Sequence, residues 1–393
     1  MSDTPALLGN TPMFENKVPM VRPWLPKLAD MHEDLQNILE SGMVTKGQYQ
    51  RQFEAAVAEH LGVRHAVAVS SCTTGLMLTY QALGLTGDVV LPSFTFMATA
   101  SSLVWAGLKL VFADVDAATT NIDPEAAEAA ITPHTSAIVA VHNFGNPAAI
   151  DQLQRIADRH GLKLIYDAAH GFGAQYQGIP VGRQGDAHVY SLSPTKLLVA
   201  GEGGIVATNN DELAHKIRLG REYGNDGNYD SVFAGINARL PEFNHVLALH
   251  GLPMLEQAAT RRNEVVALYR RELGKIPGIS FQAVRPGDRN SYREFGFLVD
   301  EAALGLSRNE LSAALQAEHI DTRHYYDPPV HRQSAYRHFA ANGAFPHTDW
   351  LARQIICLPL WSHMSDEIAM GICQAAQRCA AHAPAVRNRL ASA

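Results

Sequence analysis

Two residues of this chain stand in sequence contexts that suit covalent catalysis. Lys196 lies in the loop sequence SLSPTKLLVAGEGG (191–204), directly after the apolar run AHVYS, and no other charged residue occurs from Ser191 to Gly201. Surroundings of this kind lower the pKa of an amine and make it a better nucleophile. Asp167 closes another apolar run, KLIYD, twenty-nine residues earlier. The alternatives are a solvated surface lysine and an acid that caps a helix or a turn.

An amine and a carboxylate at the ends of two buried strands match the needs of pyridoxal phosphate. This cofactor requires a lysine to hold its aldehyde and an acid to keep its ring nitrogen protonated. Open α/β sheets bind ligands outside the carboxyl ends of their strands, which is where both residues are expected. We therefore expect Lys196 to hold the cofactor and move protons, and Asp167 to make the cofactor ring an electron sink.

Hydroxyl residues near these positions predict a phosphate site. The sequence SSCTTG (70–75) joins a strand to a helix, and the backbone N–H groups of Thr73 and Thr74 at the helix N-terminus suit a phosphate group. Ser191 offers another hydroxyl for the same phosphate. Each has a structural alternative, because serine and threonine are common at helix caps and strand ends.

Aromatic and imidazole side chains complete the predicted site. Phe96, in PSFTFMATA, is expected to stack on the pyridine face, and His170 to hydrogen-bond the phenolate oxygen. The alternatives are a core aromatic and a histidine packed near a strand end. Tyr326 and His331, in RHYYDPPVHRQ (323–333), are expected at the substrate entrance, with a structural proline-rich turn as an equal alternative.

The composition is that of a soluble globular enzyme. The chain has 393 residues, of which 47% are hydrophobic and 18% charged, and its net charge is −7. Without a basic block or a basic face rich in aromatics, we expect no nucleic-acid partner. Four cysteines without a CxxC motif, and an N-terminus without a secretory pattern, favour a reducing cytoplasm. No apolar run reaches the roughly 18 residues that span a bilayer, so no membrane partner is expected, and no HExxH or Cys/His cluster predicts a metal.

Apolar runs of strand length alternate with helical patterns over the first half of the chain. The runs occupy residues 65–70, 88–93, 109–115, 136–145, 163–169, 187–193 and 204–209. They are nearly continuous in Val, Ile, Leu and Ala, as expected for strands buried on both faces. This rhythm predicts an α/β fold with a mostly parallel, doubly wound sheet.

The pattern changes after about residue 240. A long helical stretch carries Pro253 near its middle and is expected to bend there. A smaller α+β domain should follow, with a strand at 294–300, helices at 307–319 and 365–382, and a frayed tail. The predicted divisions are an N-terminal segment (1–25), a large cofactor-binding domain (26–250) and a small C-terminal domain (251–393).

These motifs together resemble the DegT/DnrJ/EryC1/StrS family of pyridoxal-phosphate-dependent aminotransferases, which act on nucleotide-linked keto sugars. The similarity runs over nearly the whole chain and includes VSSCTTGL, LPSFTFMATA, IYDAAHGFGA, SLSPTKLLVAGEGG, GINARLPE and DTRHYYDPPVHRQSAY. The resemblance implies a fold-type-I aminotransferase, with a large domain built on a mostly parallel sheet and a smaller C-terminal α+β domain.

The resemblance also implies roles for single residues around the cofactor. Lys196 would form the internal aldimine with pyridoxal 5′-phosphate, and Asp167 would bind the pyridine nitrogen. His170 would lie near the cofactor oxygen, and Phe96 would stack on the ring.

At the phosphate end, the family combines residues from two subunits. Thr73, Thr74 and Ser191 match its phosphate cup. Asn237, in GINARL, matches an asparagine that reaches the phosphate from the partner subunit. The resemblance therefore implies a homodimer with shared active sites. Cys72 departs from the family, which often has glycine at that position.

The implied reaction transfers an amino group from an amino acid, by family analogy glutamate, to a keto group of a nucleotide-linked deoxy sugar. It would follow a ping-pong mechanism through pyridoxamine phosphate, with C4 of the sugar favoured over C3. Two alternatives stay open: the same cofactor acting on a non-sugar ketone such as a cyclitol, and a non-catalytic regulator that binds the cofactor or a sugar nucleotide. Retention of Lys196 disfavours the family branch that dehydrates sugars.

Overall fold

The computed structural model describes residues 4–340 and 343–392. The strands there are β1 (His65–Val69), β2 (Asp88–Pro92), β3 (Lys109–Ala113), β4 (Thr135–Val141), β5 (Lys163–Asp167), β6 (Gln175–Tyr176), β7 (Ile179–Pro180), β8 (Ala187–Ser191), β9 (Gly204–Thr208), β10 (Ile279–Phe281), β11 (Phe295–Val299) and β12 (Ile355–Leu358). The α-helices are α1 (Leu28–Ser41), α2 (Gln48–Leu61), α3 (Cys72–Ala82), α4 (Met97–Trp105), α5 (Pro124–Ala129), α6 (Ile150–His160), α7 (Asp211–Gly220), α8 (Glu242–Gly251), α9 (Leu255–Leu273), α10 (Glu301–Leu304), α11 (Arg308–Ala317), α12 (Pro346–Gln354), α13 (Asp366–Ala381) and α14 (Ala383–Ala391). Within these ranges, no helix combines the length and the apolar composition needed to cross a bilayer.

The large sheet has seven strands in the order β1-β9-β8-β5-β4-β2-β3. Strand β9 runs antiparallel to both of its neighbours, and the other neighbouring strands pair in parallel. Each apolar run found in the sequence coincides with one of these strands to within one residue at its start. The predicted α/β fold with a mostly parallel sheet is therefore confirmed.

Helices cover both faces of the large sheet, which explains why its strands are apolar at successive positions. In β4, Ile138 packs into a core shared with α2 and α6, whereas Val139 packs on the other face with α3 and α4. Both side chains are fully buried. The helices thus hold the sheet from two sides and keep its strand ends in place.

The carboxyl ends of the parallel strands meet at one edge of the large sheet. Val141 ends β4, Asp167 ends β5 and Ser191 ends β8. Asp167 pairs with Val141 on one side and with Val189 on the other, so strand pairing fixes its position along the sheet. This edge is where an open α/β sheet binds its ligands.

The small domain is built on a three-stranded antiparallel sheet in the order β10-β11-β12. Its core joins this sheet to α9, α11 and α13, with Tyr269, Phe295 and Trp361 among its buried side chains. The predicted strand and the two predicted helices of this region are confirmed. At the predicted position of the bend, a 3-10 helix at Leu252–Met254 that includes Pro253 separates α8 from α9.

The prediction of a frayed C-terminal tail is wrong. The tail forms α14, in which Ala383 and Val386 are buried in the core of the small domain. Arg387 adds an ion pair with Glu310 of α11. Packing of this apolar pair stabilises a helix of nine residues, which would be too short to be stable by itself.

The N-terminal segment packs on the small domain through a buried carboxylate. Ala6 and Met13 each donate a backbone N–H to Glu318, both at 2.8 Å. Glu318 is fully buried and also pairs with Arg378 of α13. One side chain therefore ties the start of the chain to the second domain.

We expect Glu318→Ala to destabilise the protein by about 3–5 kcal/mol, because it removes the partner of a buried arginine and the acceptor of two N–H groups. Urea denaturation measures this free energy of unfolding. Glu59→Ala, at an exposed position of α2, is the control and should change it by less than about 0.5 kcal/mol. A loss below about 1 kcal/mol at Glu318 would contradict the role given to this carboxylate.

Candidate active site

A cavity of about 400 Å³ lies where the carboxyl ends of β4, β5 and β8 face the small domain. Both Lys196 and Asp167 line it, so the structure brings the two central residues of the sequence prediction together. The predicted site residues that line this cavity are Thr73, Phe96, Asp167, His170, Ser191, Lys196 and Tyr326.

Lys196 is carried by the loop that follows β8. Its backbone N–H donates to Ser193 O at 3.0 Å, which closes a turn. Burial, and after it the nearby cation of Arg293, lower the pKa of the Lys196 amine to about 7. The amine therefore exchanges protons near neutral pH and is available as a nucleophile.

Asp167 is buried and accepts hydrogen bonds from several donors. Thr99 Oγ1 donates to Asp167 Oδ2 at 2.7 Å, and Ala169 N donates to Oδ1 at 3.1 Å. The Cys72 thiol lies 3.8 Å from the same Oδ1. Burial raises the pKa of Asp167, and the hydrogen bond from Thr99 opposes that rise. The donors favour the carboxylate form, which is the form that pairs with a protonated ring nitrogen.

His170 and Phe96 supply an imidazole and an aromatic face to the cavity. His170 Nδ1 is buried, without a hydrogen-bond partner among the described residues. Burial, and then the cations of Lys196 and Arg293, hold the pKa of His170 well below its usual range, so its ring is neutral. Phe96 is 49% exposed, and much of its face is available to a flat ring bound in the cavity.

The N-terminus of α3 reaches the cavity through Ser71, Cys72 and Thr73. Ser71 caps this helix: its hydroxyl accepts from Thr74 N at 3.1 Å, while the Thr74 hydroxyl accepts from Ser71 N at 3.0 Å. Thr74 uses both groups in this capping box and does not line the cavity, so its place in the phosphate cup stays a prediction. Cys72 and Thr73 are the first residues of α3 and both line the cavity.

The start of β9 approaches this helix end so closely that only glycine fits. A Cβ at Gly204 would lie 2.6 Å from Cys72 N and 2.7 Å from Ser71 O. Gly204 pairs with Ser191 of β8 on its other side. The last glycine of the GEGG sequence therefore lets the helix N-terminus and Ser191 lie close to each other.

Like Thr74, two further predicted residues do not line the cavity. Asn237 is exposed and forms a bridge with Glu222, so its contact from a partner subunit stays a prediction. His331 is buried, with its Nε2 atom 3.1 Å from Asp349 Oδ1 and its ring centroid 4.7 Å from that of Phe345. These contacts hold the imidazole against the start of α12, and the role of His331 at the substrate entrance stays a prediction.

Sequence reasoning missed Thr99, which donates a hydrogen bond to Asp167. Among the cavity residues that it also missed are Arg293, Glu294 and Tyr325. The available signal for two of them was a pair of adjacent opposite charges in SYREFGF, directly before an apolar strand. Nothing in their spacing relates them to Lys196, since only the packing of the two domains brings them to one cavity.

A desolvated amine and a buried carboxylate, facing one cavity, define an enzyme of the Schiff-base class. The residues fit pyridoxal phosphate. The amine of Lys196 suits its aldehyde, and the carboxylate of Asp167 suits its ring nitrogen. The N-terminus of α3 suits its phosphate. The described residues form no group of three or more His, Cys, Asp or Glu side chains that could hold a metal ion.

Comparison with known proteins identifies the family. The model of the DegT/DnrJ/EryC1/StrS aminotransferase family matches residues 28–377. The chain belongs to this family and is a pyridoxal-phosphate-dependent aminotransferase.

Individual relatives are similar to this chain over most of its length. The spore coat polysaccharide biosynthesis protein SpsC of Bacillus subtilis (strain 168) is 35% identical over 354 residues, which cover 85% of this chain and 91% of SpsC. The crystal structure of DesI superposes with a TM-score of 0.89 at 37% identity, covering 98% of this chain and 97% of DesI. DesV from S. venezuelae gives a TM-score of 0.85 at 32% identity, covering 93% of this chain and 99% of DesV.

We expect Thr99→Val to weaken binding of pyridoxal phosphate by about tenfold or more, because a hydrogen bond to a charged group contributes about 1.5–3 kcal/mol. Without this donor the pKa of Asp167 rises further, so the deficit should grow as pH falls. Absorbance titration of the cofactor at several pH values measures the effect. Thr79→Val, which removes a buried hydroxyl that donates to Gly75 O at 2.7 Å, is the matched control. Equal cofactor affinity in the two variants would refute the role of Thr99.

We also expect the Lys196 amine of the cofactor-free protein to become reactive as pH rises through about 7, since burial and the Arg293 cation favour its neutral form. Labelling with an amine-reactive reagent over a pH series, followed by peptide mapping, measures this. Exposed Lys27 serves as the internal reference. Labelling of Lys196 that begins only near the ordinary lysine pKa of about 10.4 would contradict the expectation.

Proposed function

We propose that the protein transfers an amino group from an amino acid, with glutamate favoured, to the keto group of a nucleotide-linked deoxy sugar. The observation that carries this proposal is Lys196, a desolvated amine that shares a cavity with Asp167 in a chain of the aminotransferase family. Support for a sugar substrate comes from two relatives. The DesI structure was analysed in the presence of its TDP-sugar product, and SpsC is named for polysaccharide biosynthesis.

The chemistry is divided between the cofactor and the chain. Pyridoxal phosphate, when bound, supplies an electron sink for the carbon that gains or loses the amino group. Lys196 holds and releases a proton at Nζ near neutral pH, which suits it as the general acid and base for that carbon. Asp167, oriented by Thr99, accepts the hydrogen bond of the ring nitrogen through its carboxylate.

The remaining contacts position the cofactor. Phe96 would cover one face of its ring, and the neutral imidazole of His170 would lie beside its oxygen. Thr73 and Ser191 would bind its phosphate with their hydroxyl groups. These four side chains line the same cavity as Lys196, which supports the assignment.

Donor and sugar are proposed to react in turn, in a ping-pong order. Among the described residues, Lys196 is the one lysine that lines this cavity, and this supports a single site that donor and sugar would occupy in turn. The sequence resemblance favours amination at C4 of the sugar over amination at C3.

A homodimer is part of the proposal, with the partner's Asn237 reaching the phosphate site. Asn237 is exposed in the single chain, and the preceding Tyr229 and Val232 are 98% and 53% exposed. Exposed apolar side chains of this kind suit a subunit interface. The proposed setting is the cytoplasm, which suits the free cysteines Cys72, Cys357, Cys373 and Cys379.

The proposal is tested by incubating the cofactor-loaded protein with glutamate and a panel of nucleotide-linked 4-keto and 3-keto sugars. We expect an aminated sugar, identified by mass spectrometry and located at C4 or C3 by NMR. Lys196→Ala should abolish turnover, because no other group takes over the proton transfers. Lys27→Ala, at an exposed position, is the matched control and should retain full activity.

Other outcomes of the same experiment would contradict the proposal. Amination of a cyclitol ketone, but of no sugar in the panel, would assign the enzyme to a non-sugar substrate. Tight binding of the cofactor or a sugar nucleotide without any amine transfer would make the protein a regulator.

A further inference from the structure

Asp167 is connected to a second threonine through a short chain of hydroxyl groups. Thr99 Oγ1 donates to Asp167 Oδ2 at 2.7 Å, and Thr95 Oγ1 lies 2.9 Å from Thr99 Oγ1. All three side chains are buried, with Thr95 only 1% exposed, although Thr95 and Asp167 both line the cavity. The two hydrogen bonds therefore form out of bulk water, where each is electrostatically stronger.

The direction of both hydrogen bonds follows from the number of protons. A carboxylate only accepts, so the single hydroxyl proton of Thr99 is used for Asp167. The Thr99 oxygen can then only accept from Thr95, which must donate its own proton. Because hydrogen bonds in a chain polarise one another, the donor at Thr95 strengthens the bond from Thr99 to the carboxylate.

Thr99 stands in helix α4, where a threonine hydroxyl has an alternative acceptor. Such hydroxyls commonly donate to a carbonyl of the preceding turn, as Thr79 of α3 does to Gly75 O at 2.7 Å. The Thr99 hydroxyl instead donates to Asp167 while it accepts from Thr95, one turn earlier in the sequence. The contact with Thr95 thus holds the Thr99 hydroxyl in the orientation that points its proton at the carboxylate.

The segment that carries Thr95 is fixed by aromatic packing. Phe94 is fully buried, and its ring centroid lies 5.3 Å from that of Tyr326 and 6.3 Å from that of Phe144. On the other side of Thr95, the ring centroid of Phe96 lies 6.5 Å from that of Tyr326. Since both of its neighbours are packed in this way, the Thr95 hydroxyl has a defined position before any ligand binds.

We propose that Thr95 is a positioning residue that acts through Thr99 to keep Asp167 ionised and oriented toward the ring nitrogen of the cofactor. This role rests on the proposed pairing of Asp167 with that nitrogen. Burial raises the pKa of Asp167 and so favours the protonated acid, which the hydrogen bond from Thr99 opposes. Loss of the Thr95 hydroxyl would leave this opposing hydrogen bond weaker and less well directed.

The test is an absorbance titration of the cofactor-free protein with pyridoxal phosphate over a series of pH values. Thr95→Val keeps the shape of the side chain without its hydroxyl, and we expect its affinity for the cofactor to fall roughly 3- to 10-fold. The ratio to wild type should be largest at low pH, because a higher pKa of Asp167 means that its carboxylate is lost sooner as pH falls.

Two further variants show whether the hydroxyl itself is responsible. Thr95→Ser keeps the donor and should recover most of the wild-type affinity and its pH dependence. Thr79→Val, which also removes a fully buried threonine hydroxyl, is the matched control and should bind the cofactor as wild type does.

A double-mutant cycle tests whether Thr95 acts through Thr99. In a protein that already carries Thr99→Val, the added Thr95→Val should change cofactor affinity little, because the chain of hydroxyls is already interrupted. A general packing defect would lower the affinity by the same factor in both backgrounds. Urea denaturation of the cofactor-free variants verifies that each one is folded.

The outcomes separate this inference from the proposed function. Equal cofactor affinity of Thr95→Val and wild type at every pH, or an equal loss in both backgrounds of the cycle, would overturn the role of Thr95. Asp167→Asn should weaken cofactor binding more than Thr95→Val does, and wild-type binding by it would overturn the pairing of Asp167 with the ring nitrogen as well. If the titrations follow the expected pattern but no sugar is aminated, the role of Thr95 stands and the sugar assignment fails.

Discussion

Burial of charge at the ends of adjacent parallel strands is the constraint on which the rest of this structure depends. Asp167 is withdrawn from water between β4 and β8, and Lys196 is desolvated in the loop that follows β8. Such groups are unfavourable in a folded protein unless donors, acceptors or counter-charges surround them. Thr99 and the N–H of Ala169 stabilise the aspartate from one side. The sheet, covered by helices on both faces, keeps the two ionisable groups from moving apart or becoming hydrated.

The two domains contribute different groups to the cavity. The large domain supplies the groups that suit the cofactor: the lysine, the aspartate, an aromatic face and a helix N-terminus. The small domain supplies Arg293, Glu294 and Tyr325 to the opposite wall. The N-terminal segment and α14 both pack into the core of the small domain and stabilise it.

The sequence predicted the parts of this structure that follow from local patterns. Strands buried on both faces must be apolar throughout, so all seven strands of the large sheet were visible as runs. Lys196 and Asp167 were visible because each stands at the end of such a run. The sequence pattern could not predict contacts between residues that lie far apart along the chain. In the sequence, Arg293 is one of many charged residues, and only the fold brings it to the cavity that Lys196 lines.

The positions that the sequence did not resolve have physical reasons of the same kind. Thr73 and Thr74 are alike in sequence, but Thr74 is engaged in the capping box of α3 and only Thr73 lines the cavity. His331 follows a segment that reaches the cavity through Tyr326, and its imidazole contacts Asp349 of α12. The tail was expected to fray because it ends the chain, but Ala383 and Val386 are buried in the core of the small domain.

The central claim is that Lys196, and no other lysine, holds pyridoxal phosphate. Borohydride reduction of the cofactor-loaded protein, followed by digestion and mass spectrometry, tests it most directly, because reduction makes the lysine–cofactor bond permanent. We expect the added mass on the peptide that contains Lys196, and none on Lys196→Ala treated in the same way. Cofactor found on a different lysine of the wild-type protein would contradict the account.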